Sequence, residues 1–277
     1  MKTNETKAKQ DAKWVFLKKG TCSRTFFYIL NREFGSPKEM EEQAIDPLAG
    51  GIARQGYQCG MLWGSSMAVG AESFRRHDDQ GKAIAVAITA TQHIMKSFVS
   101  RTNSIECEDI TRCDWSSKLS MAKYFITGKF LSCFTLADKW APEAIEAANE
   151  ALSQEQPELA QNPKSCASEV VKKMGGSDEE MVMVAGFAGG LGLSGNGCGA
   201  LSAALWKTVL ELVKEENWKP TMSDPVSENI LNTFLEATDY EMECHKICGK
   251  RFTTIDEHSE YIQNGGCAEL IDVLAKS

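Results

Sequence analysis

Hydrophobic positions in this chain recur at helical spacing and rarely alternate. Ile84, Ile88, Thr91, Met95 and Phe98 fall on one face of a helix over about residues 80–99, and Leu201, Leu205, Val209 and Leu212 do the same from Cys198 to about Glu216. Gly60, Gly64 and Ala68, four apart on a helix over about 59–76, form a stripe of small residues against which another backbone can pack. Stop and start signals set the remaining helices. One opens at Gly20-Thr21-Cys22-Ser23 and closes at Phe34-Gly35-Ser36-Pro37; others are expected over 117–127, 135–152, from Cys166 to Gly175, and over 226–238. Ser177 followed by Glu180 has the form of a capping box. Residues 1–12 are polar and are expected to fray, with Lys13–Leu17 a short helical entry. Strand-like alternation is weak, so the expected class is all-α.

The helices come in two sets. Residues 49–62, AGGIARQGYQCGML, are matched without a gap by residues 188–201, AGGLGLSGNGCGAL. Such self-similarity marks a duplicated unit. The expected organisation is a polar segment 1–12, a first helical repeat 13–152, a linker 153–162 and a second repeat 163–277. Each repeat is long enough to bury a core.

Composition narrows the function. Hydrophobic residues at 43% and charged residues at 25% are globular values. The acidic excess behind the net charge of −8 lies in the second half, which argues against nucleic acid. The start, MKTNETKAKQDAK, lacks the apolar stretch of a signal peptide. The most apolar run, Met181–Leu205, is broken by glycines, so membrane insertion is not expected. The expected location is cytoplasmic. An unidentified redox partner is expected, and a homo-oligomer is left open.

Ten cysteines in a chain with no export signal should stay reduced. Aligning the repeats pairs Cys22 with Cys166, Cys59 with Cys198, Cys107 with Cys244 and Cys133 with Cys267, while Cys113 and Cys248 have no strict counterpart. Four thiolates per repeat match the ligand number of iron–sulfur clusters and of structural zinc. Their long spacing leaves it to the fold to gather them. The glycine-rich turn delivers Cys59 and Cys198 to helix starts, where backbone N–H groups can approach sulfur and lower a thiol pKa. Gly56 and Gly195 are expected at positive φ, and Gly56, Gly60, Gly195 and Gly199 are the candidate backbone contacts to a cofactor. Other chemistries are thin. No Lys-Ser/Thr follows the glycines as in a phosphate loop, no haem-attachment motif is present, and His77, His93, His245 and His258 are scattered, with His245 a minor ligand candidate.

Gly197-Cys198-Gly199-Ala200-Leu201-Ser202-Ala203 and, less closely, Gln58-Cys59-Gly60-Met61-Leu62-Trp63-Gly64 resemble the C-GCAxxG-C-C family of redox-active proteins, as two tandem copies. The copy around Cys198 departs from the pattern at Ala203, the copy around Cys59 at Met61. By that pattern the family cysteines fall on Cys22, Cys59, Cys107 and Cys133 and on Cys166, Cys198, Cys244 and Cys267. The resemblance implies a helical redox protein with a metal cluster; it does not supply a substrate.

Three readings follow. The first is electron transfer through two cysteine-ligated centres, iron–sulfur or another metal such as zinc, one per repeat. The second is a thiol–disulfide oxidoreductase with Cys59 and Cys198 as low-pKa nucleophiles. The third is a structural metal-binding helical protein. Whether the chain is an enzyme stays open.

Overall fold

The computed structural model describes residues 2–154, 163–220 and 224–277, with residues 2–10 described by backbone alone. Most of the expected linker, residues 155–162, lies outside the described residues. The first repeat runs α1 (Lys2–Lys19), α2 (Cys22–Glu33), α3 (Glu39–Ala44), α4 (Gly60–Arg76), α5 (Gln80–Thr102), α6 (Cys107–Thr111), α7 (Lys118–Ile126) and α8 (Phe130–Ser153). The second runs α9 (Cys166–Lys173), α10 (Asp178–Met183), α11 (Gly199–Lys214), α12 (Pro225–Ala237), α13 (Cys244–Ile247), α14 (Ile255–Gln263) and α15 (Ala268–Leu274). A 3₁₀ turn, Asp46–Leu48 or Ala185–Phe187, precedes each glycine segment. No strand forms among the described residues; two isolated bridges replace one. The class is all-α with two tandem helical units.

Two local expectations change. The N-terminal segment is helical from Lys2 rather than frayed, because α1 is anchored: Asp11 pairs with Arg32, and Ala12, Val15 and Phe16 are buried, with α1 packed against α2 and α8. Cys133, expected between two helices, lies in the first turn of α8, which starts at Phe130 rather than near 135. The Ser177–Glu180 capping box is present at α10.

The glycine segment is a left-handed turn. Gly50, Gly51, Ile52, Ala53 and Arg54 all have positive φ, and so do Gly189, Gly190, Leu191, Gly192 and Leu193. A left-handed conformation costs a residue with a Cβ roughly 1–2 kcal/mol, so Ile52, Ala53 and Arg54 carry strain that neighbours must offset. They do so alike in both repeats. The turn closes with Gly56 N–H donating to the Gly50 carbonyl at 3.0 Å and Gly195 N–H to Gly189 at 2.9 Å. Gly56 and Gly195 themselves sit at φ 82° and 79°. Next, Cys59 N–H donates to Ile105, Cys107 N–H to Tyr57 and Glu108 N–H to Gly56; Cys198 to Met242, Cys244 to Asn196 and His245 to Gly195 repeat this ladder. It is this ladder that holds the second and third cysteines of each repeat side by side.

The repeats pack crosswise. α3 lies on α11 and α10 on α4, while each long helix also covers the other repeat's 3₁₀ turn. Trp206 on α11 donates to the Glu41 carbonyl of α3, Trp63 on α4 meets Phe187 edge-on at 4.8 Å, and Lys38 pairs with Glu179 at 2.7 Å. Glycine permits the contact: a Cβ on Gly70 would lie 2.4 Å from the Met183 carbonyl oxygen. α2 crosses the small-residue stripe of α4 as expected, since a Cβ on Gly64 would lie 2.1 Å from the Ser23 carbonyl oxygen. One large buried cluster consequently runs through both repeats, with Trp63, Trp140 and Trp206 its largest fully buried members.

Candidate metal and redox centres

Helix starts supply the cysteines. Cys22 and Cys166 are the first residues of α2 and α9, Cys59 and Cys198 cap α4 and α11, and Cys107 and Cys244 begin α6 and α13. In both repeats three helix N-termini thus point at one place, which favours negative charge there. Cys133 joins from α8, and Cys267 from the residue before α15.

In the first repeat Cys22, Cys59, Cys107 and Cys133 line one cavity of about 820 Å³. The Cys59 thiol donates to the Cys22 sulfur, which also accepts from the backbone N–H groups of Gly50, Ser23 and Cys22 itself, so the Cys22 pKa falls below the ordinary thiol value. Donating its S–H to Cys22, and burial, hold the Cys59 thiol well above it. Burial likewise raises Cys107, and raises Cys133 to about 11 against a bond from the Tyr124 hydroxyl at 3.1 Å. Cys113 is buried outside the cavity lining, where its sulfur accepts from Ser120 at 3.7 Å.

The second repeat is closed. Cys166, Cys198, Cys244, Cys248 and Cys267 surround a void of about 10 Å³, roughly the least that holds one water. Cys248 stands between Cys244 at 3.8 Å and Cys267 at 3.6 Å. Two sulfurs bound at about 2.3 Å to one tetrahedral metal are ~3.8 Å apart, whereas a disulfide is about 2.05 Å. All ten cysteines are free. Cys248, left without a role by the repeat alignment, therefore belongs to the second site, and Cys113 does not belong to the first. Tyr261, the counterpart of Tyr124, bonds to Cys248 and Cys267. His258 also lines the void; it is buried, its Nδ1 has no partner, and burial lowers its pKa to about 4, so the ring is neutral and able to act as a ligand. His245, the candidate named by sequence, instead turns to the Gly195 carbonyl at 2.8 Å.

Two expectations need correction in detail. Cys59 and Cys198 are not low-pKa thiols: donation to Cys22, with burial, raises Cys59, burial pushes Cys198 to about 12, and in the first repeat the lowered thiol is Cys22. The candidate glycines also do different work. A Cβ on Gly60 would lie 2.5 Å from the Cys22 sulfur, so this glycine does touch the site; on Gly199 it would meet the Phe187 carbonyl oxygen at 1.8 Å, on Gly56 the Glu108 side chain and on Gly195 Arg251. The glycine N–H groups that reach sulfur belong to Gly50, toward Cys22, and Gly189, toward Cys166, while Ala200 and Leu201 N–H groups reach Cys198. Both glycines recur in the aligned segments, which was the available signal.

Between the sites the two turns meet. Gln58 donates to the Gly190 carbonyl at 2.9 Å, and Asn196 donates to Glu106. Burial raises the Glu106 carboxyl to about 7, and its second oxygen has no partner.

Among the described residues no three His, Cys, Asp or Glu side chains already form a metal shell. The donor sets nonetheless fit a thiophilic metal: clustered thiols raise one another's pKa, and a cation among them is what would let them ionise together. No helix among the described residues is long and apolar enough to cross a membrane.

A helical scaffold with twin cysteine sites defines a class, and the family is shown. The chain matches the family described as "Putative redox-active protein (C_GCAxxG_C_C)" over residues 21–147 and again over 163–277, and it belongs to that family as two tandem copies. No curated protein and no solved structure matches it.

Proposed function

We propose that each unit, residues 13–152 and 163–277, holds a thiolate-ligated redox metal centre, iron–sulfur in the first instance, and that the protein carries electrons. Cys22, Cys59, Cys107 and Cys133 would hold one centre, and Cys166, Cys198, Cys244 and Cys267, with Cys248, the other. When bound, such a centre supplies one-electron chemistry that the side chains lack. The chain's own part is to gather the thiols, donate Gly50 and Gly189 N–H groups and the Tyr124 and Tyr261 hydroxyls to sulfur, and keep water from the second site. The observation that carries this reading is the convergence of cysteines from four separate segments, twice, on helix N-termini.

Anaerobic purification with iron, zinc and acid-labile sulfide counted per chain tests it. Cys198→Ser should remove one repeat's metal and leave the other's spectrum; full retention of metal would sink the proposal. The second reading, a thiol–disulfide pair, is favoured by the bond in which Cys59 donates to the Cys22 sulfur and lowers the Cys22 pKa. A colourless, metal-free protein with one fast-titrating thiol pair would support it.

A further inference from the structure

The cavity of the first repeat is much larger than four thiols require. Its 820 Å³ falls in the range of about 300–1,000 Å³ typical of small-molecule sites. One wall is a continuous belt of rings. Phe16 stacks on Phe134 at 4.5 Å; Phe134 meets Phe130 at 6.0 Å, Phe130 meets Phe125 at 6.0 Å, Phe125 meets Tyr124 at 5.4 Å, and Tyr124 meets Trp115 at 5.1 Å. All six line the cavity. The belt ends against the cysteines, where Trp115 donates to Thr111, one turn after Cys107, at 3.3 Å, and Tyr124 bonds to Cys133 at 3.1 Å.

We propose that this cavity binds a lipophilic, uncharged aromatic ring of the naphthoquinone class, seated against the ring belt beside Cys22, Cys59, Cys107 and Cys133. Four observations select that chemistry. Aromatic walls favour a flat ring. The polar wall is acidic on balance, with Asp46, Asp224 and Glu228 against Arg54 and Lys118, and Arg54 already lies 4.0 Å from Glu228, so a phosphate-bearing nucleotide meets net negative charge. Trp218 lines the cavity from the second repeat, and its indole N–H is buried with no partner among the described residues, a donor suited to a ring carbonyl. Phe125 both lines the cavity and is 45% exposed, marking the mouth, and Leu119 and Ile126 on the neighbouring face of α7 are 81% and 86% exposed, an apolar rim for a hydrocarbon tail. The choice of an electron-carrying ring rests on the redox reading above; the binding site itself does not.

Calorimetric titration of the full-length protein with menadione, a geranyl-substituted naphthoquinone, 2,3-dimethylnaphthalene and FMN tests this. The expected result is one saturable site per chain, tightened about tenfold by the tail, weakened severalfold when the ring carbonyls are absent, and with FMN the poorest ligand. Met121→Trp, which fills the cavity, should weaken binding at least about tenfold; Trp218→Phe should abolish the preference for carbonyls; Ile126→Ser should remove the gain from the tail alone. Circular dichroism and melting confirm that each variant is folded, and Ser227→Trp replaces Met121→Trp if that chain does not fold. No saturable binding, binding unchanged by a folded cavity-filling variant, or FMN binding tightest would overturn the proposal. Metal and sulfide are counted in the same preparations. Binding without metal keeps this site and removes the redox-metal reading; metal without binding does the reverse.

Discussion

The two cysteine sites share a backbone plan and differ in how they are closed. The same left-handed turn, the same hydrogen-bond ladder and the same glycine N–H contact build both. Yet five cysteines enclose about 10 Å³ in the second repeat, and four line about 820 Å³ in the first. The cause lies outside the turns. In the second repeat the void is walled, beside the cysteines, by Ile247, Phe252, His258, Ile262 and Leu270, which sit on or between the short helices α13, α14 and α15. In the first repeat the corresponding wall is made by α7 and the start of α8, whose rings stand around the larger cavity, with Ser227, Glu228 and Leu231 of α12 on another side. A duplicated unit fixes where the thiols sit, and the segments that follow the third cysteine decide what can reach them.

The largest expected break in this comparison is at the paired glycines after the capping cysteines. Gly199→Ala would drive a Cβ into the Phe187 carbonyl, which is backbone and cannot swing away, and should cost about 3 kcal/mol or more. Gly60→Ala meets the Cys22 sulfur first, at 2.5 Å. It should cost less, about 1–2 kcal/mol, while removing the first site's metal or fast thiol pair. Urea midpoints and metal counts on both variants check this, and equal costs with both sites intact would contradict it.

The unpaired cysteines come next. Cys248→Ser should lower metal bound by the second repeat, since its sulfur stands between two others, whereas Cys113→Ser should leave the first repeat's metal unchanged. Metal analysis of both variants decides, and the reverse pattern would mean that the alignment of the repeats is misleading here.

Glu106, where the turns meet, gives a pH test. Its carboxyl, raised from 4.5 to about 7, binds more protons folded than unfolded between those values. Its contribution to stability is therefore fully present below pH 4.5 and is lost as pH rises through 7. The loss should be about 2–3 kcal/mol. Glu106→Gln should flatten that part of the stability profile; an unchanged profile would mean the carboxylate is solvated.

The smallest effects are expected at Gly56 and Gly195. Alanine at φ near 80° should cost about 1 kcal/mol in either repeat. A silent Gly195→Ala in thermal melts would show that the turn relaxes.

The helices, the duplication and the two sets of four cysteines were legible because each rests on spacing or on matched residues. What escaped was set by tertiary contact. Ile52 and Arg54 carry no sign of left-handed backbone; the crosswise packing and the ladder to Ile105 and Tyr57 impose it. The low pKa assigned to Cys59 and Cys198 from helix position lost to donation toward Cys22 at Cys59 and to burial at both, which sequence does not measure. Cys248, at the end of α13, and His258 on α14 reach the second site from positions where the first repeat has Thr111 and Met121 at the same offsets from Cys107 and Tyr124, so matching the repeats does not mark them. The polar start of α1 concealed the anchoring face that begins at Asp11.

The crosswise contact of α3 with α11 and α10 with α4 has a consequence for ancestry and engineering. A polypeptide with a single copy of this unit would leave its long helix and its turn uncovered. The simplest remedy is a second molecule donating the same surfaces about a twofold axis, an isologous homodimer. Joining two such copies in one gene makes assembly independent of concentration. It also frees each half to change alone, so one cysteine site can tighten while its twin widens to admit a guest.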